Sequence, residues 1–476
     1  MEKQRPFLTL ILFISLSFSA FGQGHLSSKN RKGRVRTAVD TLIVGGTIVT
    51  MNSSREIIEN GAIAISGGKI LKVGRRADVE PTVAARKTID AAGKVIMPGL
   101  INTHTHAAMT LFRGISDDLD LQEWLTKYIF PAEAKNVTEQ FVRAGTRLGL
   151  AEMIRGGTTT YCDMYYFEDA VADETKKAGV RGVLGETIID FPVADNKTNA
   201  EMMAYSERFL KKWANDPLIV PAMAPHAPYT VSTEHLKAIR SLSDKLNAAV
   251  VIHVAETKKE RDDIKEKYGD TPMDYLARIG FLSDRTITAH DVWLSDEEID
   301  VMKRYGVGGA HCPQSNMKLA SGVAPVPSML GKDVAIGLGT DGAASNNDLN
   351  MWEEMDTAAK LHKLISMDPK VLPAEQAFEM GTIRGAKALH LDKITGSLEQ
   401  GKRADIAIVD IDDLNQIPVY NIYSTLVYAT RANDVRTVLI NGRIVMLNKK
   451  LLTLDENGIK RDANAYRKKI IDSLKN

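Results

Sequence analysis

Cysteine is almost missing. Cys162 and Cys312 are the only two in 476 residues, each at the end of an apolar strand-like run. That reads as a pair of buried thiols; the export context described below permits a disulfide, but the count does not imply one. No Pro-Cys-x-x-Cys occurs, which excludes a zinc site of the His/Cys/Cys type. Charge of one sign is also lacking. The formal net charge is +1, so nothing marks a nucleic-acid partner. The one basic cluster, Lys29 to Arg36, lies in a Ser/Gly/Asn-rich stretch and reads as a solvated linker. Beyond residue 20, no apolar run is long enough to span a bilayer.

The N-terminus does carry an apolar run. Lys3 and Arg5 precede Phe7 to Ala20, which is short for a membrane span, and small residues at Ala20-Phe21-Gly22 offer a cleavage point before Gln23. Residues 1–22 are therefore expected to be a signal peptide rather than an uncleaved anchor. No cysteine stands nearby to take a lipid. The mature protein is expected to be exported, periplasmic or secreted in a bacterium, with no integral membrane segment after signal removal.

What remains has an ordinary globular balance, 44% hydrophobic and 25% charged. After a linker (23–38), residues 39–98 and 398–455 are rich in short strands and turns, including the hairpin signal Asn441-Gly442. They are expected to form one small discontinuous β-sandwich domain. Residues 456–476 read as a C-terminal helix. The middle, 99–397, alternates apolar strands with amphipathic stretches. Eight strand candidates stand out: Val95–Asn102, Thr158–Asp163, Val180–Glu186, Ile219–Pro225, Ala249–His253, Thr286–Ala289, Val307–Ala310 and Val334–Gly339. Eight such units predict an α/β fold, a (β/α)8 TIM barrel, whose C-terminal strand ends meet at one mouth.

Those strand ends carry the chemistry. His104-Thr-His106 puts two imidazoles on one side of a strand. Later ends bring His226, His253 followed by Glu256, His290, His311 and Asp341. Six of the ten histidines fall in these places. His104, His106 and His253 supply neutral imidazoles, and Asp341 adds a carboxylate, enough for one catalytic divalent ion with an open position for water. Asp341 is placed to take the water proton. Glu256 serves as an acid only if the chain turns after the strand, because within a continuous strand it faces away from His253. His290 is placed to polarise the attacked centre or hold the hydroxide. The fourth strand offers His226 and no lysine, which favours a single ion over a lysine-bridged pair. Zinc is the first choice and Fe2+ the second.

Five motifs taken together resemble a known family. They are Met97-Pro-Gly-Leu-Ile-Asn-Thr-His-Thr-His106, Pro225-His-Ala-Pro-Tyr229, His253-Val-Ala-Glu256, His311-Cys-Pro-Gln-Ser-Asn-Met-Lys-Leu319 and Gly339-Thr-Asp-Gly342; Gly401-Lys-Arg-Ala-Asp405 extends the match into the small domain. The chain resembles the amidohydrolase superfamily, in its branch of chlorohydrolases and purine deaminases. The resemblance implies the same ligand set, with Glu256 protonating a purine ring and Asp341 as base. It implies that Glu133, in Phe130-Pro-Ala-Glu133, binds ribose hydroxyls and that His226 touches substrate. Read alone, Glu133 is a solvated carboxylate at a helix start. No arginine lies between Arg181 and Arg208 to hold a homocysteine carboxylate.

The expected activity is metal-dependent hydrolytic deamination of an aminopurine nucleoside or a related amino-heterocycle. Rival readings are a triazine chlorohydrolase, a guanine deaminase, an amide hydrolase, or a non-catalytic exported binding protein. The partner is a small-molecule substrate, with homo-oligomerisation left open. Trp124, Tyr128 and Phe130 read first as core aromatics and second as a substrate-packing face. Arg113 reads equally as a structural or a substrate-contacting residue. Ser345-Asn346-Asn347-Asp348 reads as a turn that positions Asp341.

Overall fold

The computed structural model describes residues 36–475. The expected signal peptide (1–22) and all of the expected linker except residues 36–38 lie outside the described residues. A strand already begins at Thr37, parallel to Val83–Asp90.

Eight parallel strands form the barrel, in sequential order around it: β1 (Leu100–Thr105), β2 (Thr158–Tyr165), β3 (Arg181–Ile188), β4 (Ile219–Pro225), β5 (Ala249–Val254), β6 (Thr286–His290), β7 (Gly308–His311) and β8 (Ala335–Leu338). Polar groups close the seam between first and last. The Asn102 amide donates to Thr340 Oγ1 at 2.7 Å, and its Oδ1 accepts the Thr340 N–H at 3.0 Å. The Asp341 N–H donates to the His104 carbonyl at 3.0 Å. Two candidate site residues are thereby tied backbone to backbone.

The expected first barrel strand, Val95–Asn102, is in fact two strands. Lys94–Pro98 lies antiparallel to Ile406–Asp410 in the small domain, and only Leu100–Thr105 enters the barrel. Gly99 lets the chain cross: a Cβ there would stand 2.0 Å from the Thr159 side chain. The continuous apolar run hid the break because both halves are buried.

The terminal regions build a four-stranded and a seven-stranded sheet. Ile43, Ile63 and Ile65 from the first meet Ile48, Ile96, Ile406 and Leu439 from the second in one core. The hairpin joining Val435–Ile440 to Arg443–Leu447 has Asn441 and Gly442 both at positive φ, 50° and 75°, as a two-residue turn requires. The small domain grips the barrel floor through Asp405, whose buried carboxylate meets Arg181 Nη2 at 3.0 Å and accepts the Asn441 N–H at 2.6 Å. The last helix, Glu456–Leu474, packs Tyr466 edge-on against Phe141.

Helix Glu139–Arg155, capped by Thr138, lies over the turn that follows His106. Gly145 permits that approach, since a Cβ there would sit 2.2 Å from the Ala108 carbonyl oxygen. Both cysteines are buried and unpaired. Among the described residues, no helix is long and apolar enough to cross a membrane.

Candidate active site

The two-residue period of β1 brings the His104 and His106 rings to 4.9 Å between centroids. His253, at the end of β5, stands 4.9 Å from His104 and 5.4 Å from His106. Asp341, just past β8, places Oδ1 3.5 Å from His104 Nε2 and 3.3 Å from His106 Nε2. His290 completes the group, 5.5 Å from His104 and 5.4 Å from His253. Residues far apart in sequence are thus gathered at one mouth by strand order alone.

Backbone carbonyls set the tautomers. His106 Nδ1 donates to Met164 O and His253 Nδ1 to His226 O, each at 2.7 Å, so each Nε2 keeps its lone pair for the pocket. Both ring nitrogens of His104 are buried without a hydrogen-bond partner, a costly state unless another group completes them. Asp341 is held in place on every side. Its Oδ2 accepts from the Ser315 and Ser345 hydroxyls at 2.7 and 2.8 Å, and its Oδ1 accepts the Gly342 N–H at 2.7 Å. The Ser345 stretch expected to position Asp341 does touch it.

Burial pushes the pKa of His104 down to about 4 and that of His226 to about 3, and drives His253 well below its usual value. Neutral imidazoles are what a metal needs. His106 behaves oppositely: burial opposes its charge, yet Asp341 holds its pKa up at about 9. Burial likewise opposes ionisation of Asp341, but its contacts to His104 and His106 win and keep it well below the usual carboxylate range. The same field that retains a proton on His106 favours a cation. Two overlapping groups have donor atoms close enough to share a divalent ion, His104 with His106 and Asp341, and His104 with His253 and His290; the orphaned nitrogens of His104, common to both, fit such an ion. His290 lies equally close to His104 and His253.

Glu256 reaches the pocket because the strand stops. β5 ends at Val254, Ala255 takes a left-handed φ of 52°, and Thr257 caps helix Lys258–Tyr268. A left-handed alanine costs roughly 1–2 kcal/mol, so the turn must be held. The Glu260 carboxylate accepts the Ala255 N–H at 2.8 Å and the Glu256 N–H at 2.9 Å, while the Trp293 N–H donates to the Ala255 carbonyl at 2.9 Å. Glu256 Oε2 then stands 3.7 Å from His290 Nε2. Burial raises the Glu256 pKa, while the nearby His290 pulls it down. His290 is in turn oriented by Asn316 Oδ1, 2.9 Å from its Nδ1.

Across the cavity, Glu133 sits on helix Phe130–Asn136. It is buried rather than solvated, because Trp124 and Ile129 of the preceding segment and Phe130 of its own helix wall in the same space. Its Oε1 accepts from the Tyr165 hydroxyl at 2.7 Å, and burial lifts its pKa to about 7. His226 lines the same cavity, with Nδ1 3.0 Å from Thr230 Oγ1. Trp124 and Phe130 line it too, whereas Tyr128 is exposed and outside the wall. Arg113 is absent from that wall; it pairs with Glu152 and donates to the Asn347 carbonyl. His311 is also outside it, meeting His362 at 3.2 Å. A side cavity of about 530 Å³ adjoins at Phe130, Glu133 and Tyr166.

Sequence reasoning missed Tyr165, Tyr166, Ser315 and Glu260. Tyr165 ends β2 and Tyr166 follows it, two and three residues past Asp163, where the expected strand stopped, so the strand-end rule pointed to the place but not to the residues. Nothing local distinguishes Glu260 from an ordinary helix-capping glutamate.

Comparisons with known proteins agree with this geometry. Residues 95–445 match the model of the Amidohydrolase family. A 5-methylthioadenosine/S-adenosylhomocysteine deaminase of Syntrophus aciditrophicus is 44% identical over 92% of this chain and 99% of its own length. A 5'-deoxyadenosine deaminase of Methanosarcina barkeri is 42% identical over 91% of this chain and 98% of its own. Among solved structures, an adenosine deaminase from Xanthomonas campestris with bound zinc superposes with a TM-score of 0.90 at 38% identity, covering 92% of this chain and all of that one. Motifs, barrel and family match converge, and the chain belongs to the amidohydrolase family.

Proposed function

We propose that this chain is a hydrolytic deaminase of adenine nucleosides that works with one divalent ion, zinc before iron(II). The observation that carries the reading is the placement of two carboxyl groups in one pocket. Asp341 lies against the histidine cluster, and Glu256 lies buried beside His290.

His104, His106, His253 and Asp341 would hold the ion. When bound, it supplies Lewis acidity that brings the pKa of water from about 15.7 towards about 7. Asp341 accepts a proton from the attacking water, whose oxygen bonds to the ring carbon bearing the amine. Glu256, whose burial raises its pKa above that of a free glutamate, donates its proton to the neighbouring ring nitrogen. His290 faces both Glu256 and the attacked centre and steadies the developing charge there. The proton held by Asp341 passes to the amine, the carbon–nitrogen bond breaks, and ammonia leaves as the added hydroxyl gives its remaining proton back to Glu256 and becomes the 6-oxo group.

Glu133 supports a nucleoside over a free base, since its carboxylate stands ready to accept from sugar hydroxyls at the far side of the pocket. The adjoining side cavity leaves room for a 5'-substituent. Its walls include Val137, Phe191 and Val193, and its one cation, Lys197, is engaged by the Val193 and Ala194 carbonyls. That lining favours a deoxy or methylthio group over a charged amino-acid tail. The names of the relatives support an adenine nucleoside altered at that position, and one of them includes S-adenosylhomocysteine, which carries such a tail. The export signal read from Lys3, Arg5 and the Phe7–Ala20 run belongs to this proposal; full-length protein should appear in the periplasmic fraction or the medium, and protein starting at Gln23 should not.

The test is a panel of adenosine, 5'-deoxyadenosine, 5'-methylthioadenosine, S-adenosylhomocysteine, adenine and guanine with metal-loaded protein. Equimolar ammonia and the 6-oxo nucleoside are expected from the first three. No ammonia from any adenine nucleoside sinks the reading.

A further inference from the structure

One buried carboxylate next to the pocket takes no part in the chemistry proposed above. Glu260 lies in the first turn of helix Lys258–Tyr268, is buried, and is absent from the cavity wall. By sequence it completes an ordinary capping pattern with Thr257, whose hydroxyl does accept the Glu260 N–H at 3.1 Å. In the usual reciprocal motif the glutamate reaches back to the N–H of the capping residue itself. Here it reaches past Thr257. One oxygen takes the Ala255 N–H at 2.8 Å and the other takes the Glu256 N–H at 2.9 Å.

Those two donors belong to the turn on which the pocket acid depends. His253 faces inward, so an extended continuation would turn Glu256 away. The left-handed Ala255 reverses that, in a conformation an alanine adopts only when its surroundings impose it. Trp293 fixes the Ala255 carbonyl and Asp291 the Val254 carbonyl, so Glu260 supplies the remaining restraint on the N–H side. We propose that Glu260 is the positioning residue for Glu256: its carboxylate captures the Ala255 and Glu256 N–H groups and so holds the left-handed turn that aims Glu256 at His290. The geometry stands by itself; the catalytic consequence rests on the deaminase reading.

Glu260→Gln tests it, because glutamine keeps the shape but has one acceptor oxygen and presents an NH2 to the second N–H donor. With adenosine and 5'-methylthioadenosine, kcat is expected to fall by roughly 10- to 100-fold while KM stays within about threefold. Metal content and folded fraction are expected to match the parent. Adding Ala255→Gly should restore part of kcat, since glycine adopts positive φ freely. Parental kcat in Glu260→Gln, a loss that tracks lost metal, or no recovery with Ala255→Gly overturns the proposal. If the parent deaminates none of the nucleosides, the proposed function fails, and a crystal structure of Glu260→Gln still decides the positioning role. Loss of the left-handed turn supports it, and Glu256 still directed at His290 refutes it.

Discussion

Replacing Glu133 separates sugar recognition from ring chemistry. An ionised carboxylate accepting a hydrogen bond is worth about 1.5–3 kcal/mol, against about 0.5–1.5 for a neutral acceptor. Glu133→Gln should therefore cost about 1.5 kcal/mol, roughly tenfold in kcat/KM for adenosine. Glu133→Ala should cost up to about 3 kcal/mol, roughly a hundredfold. Neither variant should lower kcat/KM for 2',3'-dideoxyadenosine by more than about threefold, because the partners of the carboxylate are gone from that substrate. The pKa of about 7 adds a pH signature. Below it the carboxyl is protonated and a weaker acceptor, so the adenosine KM should rise as pH falls through about 7, and Glu133→Gln should flatten that rise. Stability has the opposite sense. Burial raises the folded-state value above the ordinary 4.5, so the unfolded chain releases this proton first, and stability falls as pH rises from 4.5 to about 7. The loss is at most about 3 kcal/mol, and Glu133→Gln should recover it in urea melts at alkaline pH. Steady-state kinetics on the two nucleosides are decisive: if Glu133→Gln slows both equally, Glu133 does not bind the sugar.

Three further outcomes are expected. Chelation should abolish turnover and one equivalent of zinc should restore it, while His253→Ala should lose the ion and at least about a thousandfold in kcat; normal turnover by that variant would break the assignment. Arg181→Ala strands the buried Asp405 carboxylate and should cost about 3–5 kcal/mol in urea melts. Per folded molecule its kcat should be unchanged, because Arg181 opens β3 at the end away from the pocket. Gly145→Ala pushes a methyl group against the Ala108 carbonyl and should cost about 1–3 kcal/mol, with weaker zinc retention because the displaced turn follows His106; an unaltered melting temperature would refute the close packing.

Much of this protein was legible residue by residue. Apolar strands ending in His104, His106, His253 and Asp341 predict both a barrel and a ligand set, because periodicity of two and the strand–helix alternation are local properties of the chain. Asn441-Gly442 specifies its hairpin for the same reason: both residues tolerate positive φ. The family motifs lie at those same strand ends. Tertiary structure decided the rest. Only the crossing at Gly99, set by a Thr159 side chain from another strand, divides one apolar run between two sheets. Only packing against the aromatic segment turns Glu133 from a solvated carboxylate into a buried one with a raised pKa. And whether Glu256 faces the pocket depends on a left-handed alanine held by Glu260 and Trp293. The direction of Glu256 past its strand end is set partly by Glu260, whose reach beyond its own capping residue the local pattern does not reveal, and partly by hydrogen bonds from Asp291 and Trp293, a distant segment that the linear order of residues does not encode locally.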